Sequence, residues 1–154
     1  MNVKAAWMWR PAASLLFAIT LSGCGGGDDG PPRAEVTGTV TLDGKLVEGA
    51  GLQFISEGPT GITAYGRSDA NGQYVMHFGA SRTGAGIGKN RVRITSDDFV
   101  TVGDEKFEST EVFPPKYNVK SEEFVEVKEG DNVFDFKCES GGFKPKKPKS
   151  TGGT

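Results

Sequence analysis

The clearest indication of the fold class is the stretch Val36-Thr37-Gly38-Thr39-Val40-Thr41-Leu42-Asp43-Gly44. Apolar Val36, Val40 and Leu42 share one parity and threonines take the other, which is the period-two pattern of a half-buried strand. Asp43-Gly44 follows directly, and this pair favours a tight hairpin turn because both residues tolerate positive φ. The stretch therefore predicts a strand, a reversal and an antiparallel β-domain.

Similar alternation returns in later parts of the chain. Turn sequences separate most of these runs, for example at 69–72 and 129–132. An antiparallel sheet with one apolar face must bury that face against another layer. We therefore predict an all-β, seven-stranded antiparallel β-sandwich, with a closed barrel as the alternative. The later predicted strands lie near 50–56, 62–68, 74–78, 91–94, 123–129 and 134–138.

The connection 96–122 is too long for a tight turn, and loops of this length are commonly functional or disordered. Its carboxylates are suitable oxygen ligands for calcium. No EF-hand spacing occurs, however, so a solvated acidic face is the alternative. Its aromatic residues Phe107, Phe113 and Tyr117 either face a partner or cap the end of the sandwich. The acidic residues of this connection are Asp97, Asp98, Asp104, Glu105, Glu108 and Glu111.

The N-terminus has the layout of a bacterial export signal. Lys4 and Arg10 precede an apolar run from Pro11 to Leu21, which is too short for a stable membrane span. Leu21-Ser22-Gly23-Cys24 follows and resembles the lipobox of bacterial lipoproteins. We expect cleavage before Cys24 and acylation of its thiol and freed amine, which makes anchoring effectively permanent. An ordinary secretory leader with an incidental cysteine is the alternative.

The chain is expected to divide into four segments. Gly25, with no Asp directly after the cysteine, resembles lipoproteins sent to the outer membrane, so we expect a cell-envelope protein lipid-anchored there and facing the periplasm or the surface. The Gly/Pro-rich tether and the Lys-rich tail contain too little apolar surface to order. The segments are a signal peptide over 1–23, a tether over 24–33, a β-sandwich over 34–140 and a disordered basic tail over 141–154.

Few residues of this chain suit catalysis. His77 is the only histidine, and its parity places it opposite the apolar face of its strand. Nucleophilic catalysis needs a Ser or Cys beside a base, and zinc needs several His or Cys ligands. Cys138 shares its parity with Phe134 and Phe136, which indicates a small buried side chain; a reactive or intermolecular thiol is the alternative. We predict no enzyme, catalytic residue, metal or cofactor.

Three segments together resemble a known family. They are Val36-Thr-Gly-Thr-Val-Thr-Leu-Asp-Gly-Lys-Leu-Val-Glu-Gly-Ala50, Ser68-Asp-Ala-Asn-Gly-Gln-Tyr74, and Pro115-Lys-Tyr-Asn118 leading into Val133-Phe-Asp-Phe136. They resemble the carboxypeptidase regulatory-like domain in the version common among short lipoproteins of planctomycete bacteria. The resemblance covers essentially the whole domain and implies a transthyretin-like, immunoglobulin-like sandwich that serves as a non-catalytic accessory module. Leu46 departs from the family, which usually has Pro there.

The sequence as a whole favours a non-enzymatic, lipid-anchored cell-envelope protein with a structural or protein-interaction β-sandwich. The alternative is a carbohydrate- or calcium-binding module that uses the acidic 96–122 loop. We expect contact with the membrane through the N-terminal lipid, an envelope protein or glycan as partner, and a monomer. The formal net charge of −2 argues against nucleic-acid binding.

Overall fold

The fold is all-β. The computed structural model describes residues 30–58, 61–108 and 110–145, without the side chains at 97–99 and 108. Among these residues no helix occurs. They form thirteen strands: β1 (Arg33–Ala34), β2 (Val36–Leu42), β3 (Lys45–Ser56), β4 (Thr63–Arg67), β5 (Gln73–Val75), β6 (His77–Phe78), β7 (Arg82–Thr83), β8 (Ala85–Gly86), β9 (Gly88–Val102), β10 (Glu105–Glu108), β11 (Phe124–Val127), β12 (Asn132–Val133) and β13 (Phe136–Cys138).

The main sheet is built on the long antiparallel pair of β3 and β9. Its strand order is β10-β9-β3-β4-β6-β7, and β11 also pairs with β9. On the inner face, Leu52 and Phe54 of β3 lie opposite Ile94 and Val92 of β9, and all four side chains are buried. Apolar side chains at alternate positions on both strands therefore form one continuous wall of the core.

The second layer is centred on β2. β5 pairs with it antiparallel, whereas β12 and β13 pair with it in parallel. Near its end, β2 also pairs with β3 through the predicted Asp43-Gly44 hairpin, where Asp43 has a φ of 50° and Gly44 a φ of 77°. The predicted antiparallel sandwich is confirmed, with two parallel pairings added. Parallel neighbours require a long crossover, and the chain between β2 and β12 supplies it.

The core lies between the two layers. Nearly every side chain predicted to face inward is buried, and Val125, Phe134 and Phe78 are partly buried. The buried side chains that were predicted are Val36, Val40, Leu42, Leu52, Phe54, Tyr74, Met76, Val92, Ile94, Val127, Phe136 and Cys138. Period-two alternation thus identified the buried face of each strand.

Each predicted strand has a counterpart, but the predicted run 74–78 is divided into β5 and β6. β5 pairs with β2 of the second layer, whereas β6 pairs with β4 of the main sheet. Met76 lies at the crossing point, where its N–H donates to the Val36 carbonyl and its own carbonyl accepts from Gly84. The apolar run 74–78 therefore contributes one strand to each layer.

The prediction of a long loop over 96–122 was wrong for its first half. β9 continues to Val102 and pairs with β10 across a turn at Gly103, whose φ is 60°. Val100 and Val102 are buried and Phe107 is partly buried, so the alternation of a half-buried strand continues past Ser96. Residues 110–123 contain no strand.

Backbone hydrogen bonds also occur at the predicted segment boundaries. Arg33, the last residue of the predicted tether, begins β1, which pairs with β8, and Ile87 donates to the Pro32 carbonyl at 3.2 Å. At the other end, Phe143 in the predicted disordered tail donates to the Ser140 carbonyl at 2.9 Å. The signal peptide, residues 24–29 with Cys24, and residues 146–154 lie outside the described residues. In the described ranges, no helix has the length and apolarity needed to cross a membrane.

Candidate functional site

A groove crosses the outer face of the main sheet where β9, β3, β4 and β6 lie side by side. Four residues form one row across these strands. Gln53 lies opposite Arg93 on one side and Tyr65 on the other. Tyr65 in turn lies opposite His77. The alternation that buries Leu52 and Phe54 necessarily turns these neighbours outward.

Gly51 lies on the floor of this groove. It is opposite Thr95 on β9 and Arg67 on β4, in the row next to that of Gln53. The Thr95 hydroxyl donates to the Gly51 carbonyl at 3.5 Å, beside the position that a side chain at 51 would occupy. The cleft has a volume of about 440 Å³ and is lined by Gly51, Leu52, Gln53, Tyr65, Gly66, Arg67, His77 and Thr95.

Tyr65 forms the aromatic wall of the groove. Its side chain is 57% exposed, although tyrosines in this fold can be almost wholly buried, as Tyr74 is at 2%. An exposed ring with a polar tip offers a large, rigid contact surface that loses little conformational entropy on binding. This ring is therefore available for a ligand.

The electrostatics of the groove contrast with those of the whole chain. Among the described residues that line it, Arg67 is cationic and none is Asp or Glu. Arg93 adds a second guanidinium to the same face, and its Nε donates to the Asn118 carbonyl at 3.2 Å. The chain carries a formal net charge of −2. The formal charge of the described lining is thus positive, in a protein with an excess of acidic residues, which favours anionic ligands.

Of the candidate residues whose side chains the structure describes, His77 alone lines this groove. It is exposed, as its parity predicted, and faces Tyr65 across the strand pair. Its imidazole can donate or accept a hydrogen bond. The predicted lipid-attachment residue, Cys24, lies outside the described residues.

Cys138 is a buried core residue, as predicted. Its exposed fraction is 2%, and burial raises the pKa of its thiol from 9.0 to about 12, although Lys116 opposes the shift. A thiol nucleophile must ionise. The structure therefore gives Cys138 a packing role, at the floor of a small cleft between β9 and β13.

The acidic residues of 96–122 whose side chains the structure describes, Asp104, Glu105 and Glu111, lie in different parts of the connection. Glu111 Oε1 accepts hydrogen bonds from Ser96 N at 3.0 Å, Ser96 Oγ at 3.1 Å and Phe113 N at 2.9 Å. Through Ser96, Glu111 thus attaches the start of the segment 110–123, which contains no strand, to β9. Asp104 and Glu105 are exposed in the β9–β10 hairpin. Among the described side chains, no group of three or more His, Cys, Asp or Glu is placed to hold a metal ion.

The aromatic residues of this region cap the end of the sandwich. Phe113 is fully buried, and Phe107 and Tyr117 pack against the core. The Tyr117 hydroxyl accepts a hydrogen bond from Glu139 N at 2.9 Å. Phe107 also lines an apolar cleft of about 190 Å³ with Phe143. All three aromatic side chains therefore contribute to the core, and contact of Phe107 or Tyr117 with a partner stays a prediction.

The sequence analysis did not identify Gly51, Gln53, Tyr65 or Arg67 as site residues. A signal was available, because Tyr65 and Arg67 alternate with buried Ala64 and therefore face outward. The information missing from the sequence was that β3 lies between β4 and β9. That strand order places the outward residues of separate segments next to one another.

The chain matches no family model and no curated protein. Among solved structures it is similar to a DUF3823 family protein from Parabacteroides merdae, with 14% sequence identity and a TM-score of 0.42. The match covers 71% of this chain and 47% of that protein, so the chain spans about half the length of that relative.

Proposed function

We propose that this chain is a non-enzymatic, lipid-anchored protein of the bacterial cell envelope whose β-sandwich is a binding module. The observation that carries the proposal is the sequence Leu21-Ser22-Gly23-Cys24, directly after a charged and then apolar leader. Two acyl chains on the Cys24 thiol and a third on its amine would hold the protein at a membrane. Gly25 after the cysteine supports the outer membrane as the destination.

Two side chains support the non-enzymatic part of the proposal. Cys138, the free cysteine of the described chain, is buried, and the pKa of its thiol is raised to about 12. His77 is exposed in a row with Gln53 and Tyr65, and none of the described residues that line its groove is a Ser or Cys that it would activate. The resemblance to carboxypeptidase regulatory-like domains supports an accessory role as well.

The outer-face groove supports the binding part of the proposal. It combines an exposed aromatic ring, an amide and a guanidinium on adjacent strands of a sheet. Side chains on strands are held more rigidly than those on loops, which favours a defined binding surface. A domain displayed outside the cytoplasm would meet envelope proteins and glycans, and the groove is the surface offered to them.

The anchor is tested by intact mass of the membrane-extracted protein, beside the variants Cys24→Ser and Cys138→Ala. We expect a mature N-terminus at Cys24 that carries diacylglycerol in the unchanged protein and in Cys138→Ala, and its loss in Cys24→Ser. Density-gradient fractionation is expected to place the acylated forms with the outer membrane. The Cys138→Ala variant controls for the loss of a thiol as such.

An unacylated wild-type protein in the soluble fraction would exclude the lipid anchor. Acylation that persists in Cys24→Ser would exclude Cys24 as its site. Recovery of the acylated protein with the inner membrane would contradict only the predicted destination.

A further inference from the structure

We propose that the groove over Gly51 binds an acidic polysaccharide, with one sugar ring seated between Gly51 and Tyr65 and its carboxylate at Arg67. The inference rests on the proposed binding role of the sandwich and identifies its ligand. It does not depend on the lipid anchor.

The first argument comes from the glycine on the floor. Gly51 lies within β3 and its φ is outside the left-handed range, so its backbone conformation does not require glycine. A Cβ at this position would meet Thr95 Oγ1 at 3.2 Å and nothing closer. Glycine weakens a strand interior and often marks a place where a ligand approaches the backbone closely. Here the absence of a side chain accommodates the Thr95 hydroxyl and keeps the cleft between Thr95 and Tyr65 unfilled.

The second argument comes from the groups around that space. The Tyr65 ring is exposed beside it, and the C–H face of a sugar packs favourably against an aromatic face, as other apolar surfaces do. Gln53, His77 and Thr95 surround the same space. Their amide, imidazole and hydroxyl groups can donate to and accept from sugar hydroxyls. An apolar ligand would leave these polar groups without partners.

The third argument comes from charge. Arg67 lies directly opposite Gly51, and guanidinium groups bind carboxylates through paired, charge-assisted hydrogen bonds. Arg93 lies at the other end of the Gln53 row. None of the described residues lining the groove would repel a carboxylate. Sugar acids are therefore preferred to neutral sugars.

The shape of the groove favours a polymer over a small free ligand. Small-molecule sites are usually concave and largely apolar, and they bury most of the ligand. This cleft is instead a shallow surface on a sheet, and the row from Arg93 to His77 crosses four adjacent strands. A chain of sugar units can lie along that row, and its acidic groups can contact Arg67 and Arg93.

The test is calorimetric titration of the full-length protein, purified in detergent, with a galacturonic-acid hexasaccharide as probe. Neutral maltohexaose and the acidic peptide hexaglutamate are titrated in parallel. We expect binding of the acidic glycan that weakens as salt is added, and weaker or undetectable binding of both comparison ligands.

Three variants locate the site. Tyr65→Ala, Arg67→Gln and Gly51→Leu are each expected to lower the affinity roughly tenfold or more, the last because its side chain fills the space over the floor. Lys137→Gln, an exposed cation on β13 of the second layer, is the matched control and is expected to bind as the unchanged protein does. Thermal unfolding of every variant verifies that it is folded.

Affinity that survives all three substitutions in folded protein would overturn the assignment. Absence of acidic-glycan binding would also overturn it, and would leave the anchor result untouched. Equal or tighter binding of hexaglutamate would identify an acidic protein as the partner and overturn the glycan proposal.

Discussion

The Tyr74 hydroxyl donates a hydrogen bond of 2.7 Å to the Phe134 carbonyl, which lies 60 residues further along the chain. β2 runs between the two residues, and at Gly38 a Cβ would lie only 1.8 Å from that same carbonyl oxygen. The close approach of Phe134 to β2 therefore requires glycine at 38. The hydrogen bond ties β5 to the link between β12 and β13, across the middle of the second layer.

Tyr74→Phe is expected to lower the free energy of unfolding by about 1 kcal/mol, because the partly buried Phe134 carbonyl loses its donor. Urea denaturation monitored by circular dichroism measures the change. Tyr65→Phe removes an exposed hydroxyl and serves as the control, with an expected change below about 0.5 kcal/mol. Equal free energies of unfolding for Tyr74→Phe and the unchanged protein would show that this hydrogen bond makes no net contribution to stability.

The Ser68 side chain forms hydrogen bonds to the backbone of β3 on both sides of an irregularity in that strand. Its Oγ donates to the Val47 carbonyl at 2.6 Å and accepts from Ala50 N at 2.9 Å, on either side of Gly49, whose φ is 81°. The register between β3 and β9 shifts at this point. A bulge leaves some backbone N–H and C=O groups without hydrogen bonds to the neighbouring strand.

We expect Ser68→Ala to lower the free energy of unfolding by about 1–3 kcal/mol, since buried backbone groups lose their partner. Denaturant unfolding measures the loss, and Ser81→Ala, at an exposed turn position, is the control. A loss no larger than that of the control would mean that water or a shifted backbone replaces Oγ.

Glu111→Ala is expected to loosen the start of the segment 110–123 on β9, because three donors lose one carboxylate oxygen. The later part of the segment stays attached, since Ile94 N still donates to the Tyr117 carbonyl and Val92 N to the Glu123 carbonyl. Hydrogen exchange should then speed up at Val112 and Phe113 while β3 keeps its protection. Glu122→Ala, at an exposed position in the same segment, is the control. Unchanged exchange at Phe113 would show that the Glu111 carboxylate is not needed to hold the start of the segment on β9.

Cys138 makes stability depend on pH in the alkaline range. Burial raises the pKa of its thiol in the folded protein to about 12, from an ordinary value of 9.0. The thiolate therefore forms more readily in the unfolded chain. The contribution of the thiol to stability is complete below about pH 9 and is lost as pH rises towards 12.

We expect the unfolding free energy of the unchanged protein to fall between pH 9 and 10 more steeply than that of Cys138→Ser, whose hydroxyl does not titrate there. Denaturant unfolding at several pH values gives both slopes. Iodoacetamide should label Cys138 only after denaturation. Parallel pH slopes, or rapid labelling of the native protein, would contradict the burial of this thiol.

Several features of the fold could be predicted from the sequence because they depend on neighbouring residues. The turn at Asp69 is an example: its Oδ1 accepts from Asn71 N at 2.8 Å and from Gln73 N at 2.9 Å, and Gly72 has a φ of 69°. Side chains that bond their own turn leave a local signature. The role of Glu111 left no such signature, since its partner Ser96 is 15 residues away.

Most strands, turns and buried faces could be predicted from the sequence, because alternation and turn chemistry depend on residues a few positions apart. The proposal of a lipid anchor likewise depends on a contiguous motif around Cys24. Only the tertiary structure decided that β3 lies between β4 and β9, so that Gly51, Tyr65 and Arg67 share one groove. Strand order and register are set by packing between distant segments, for which an outward-facing side chain in a single strand gives no indication.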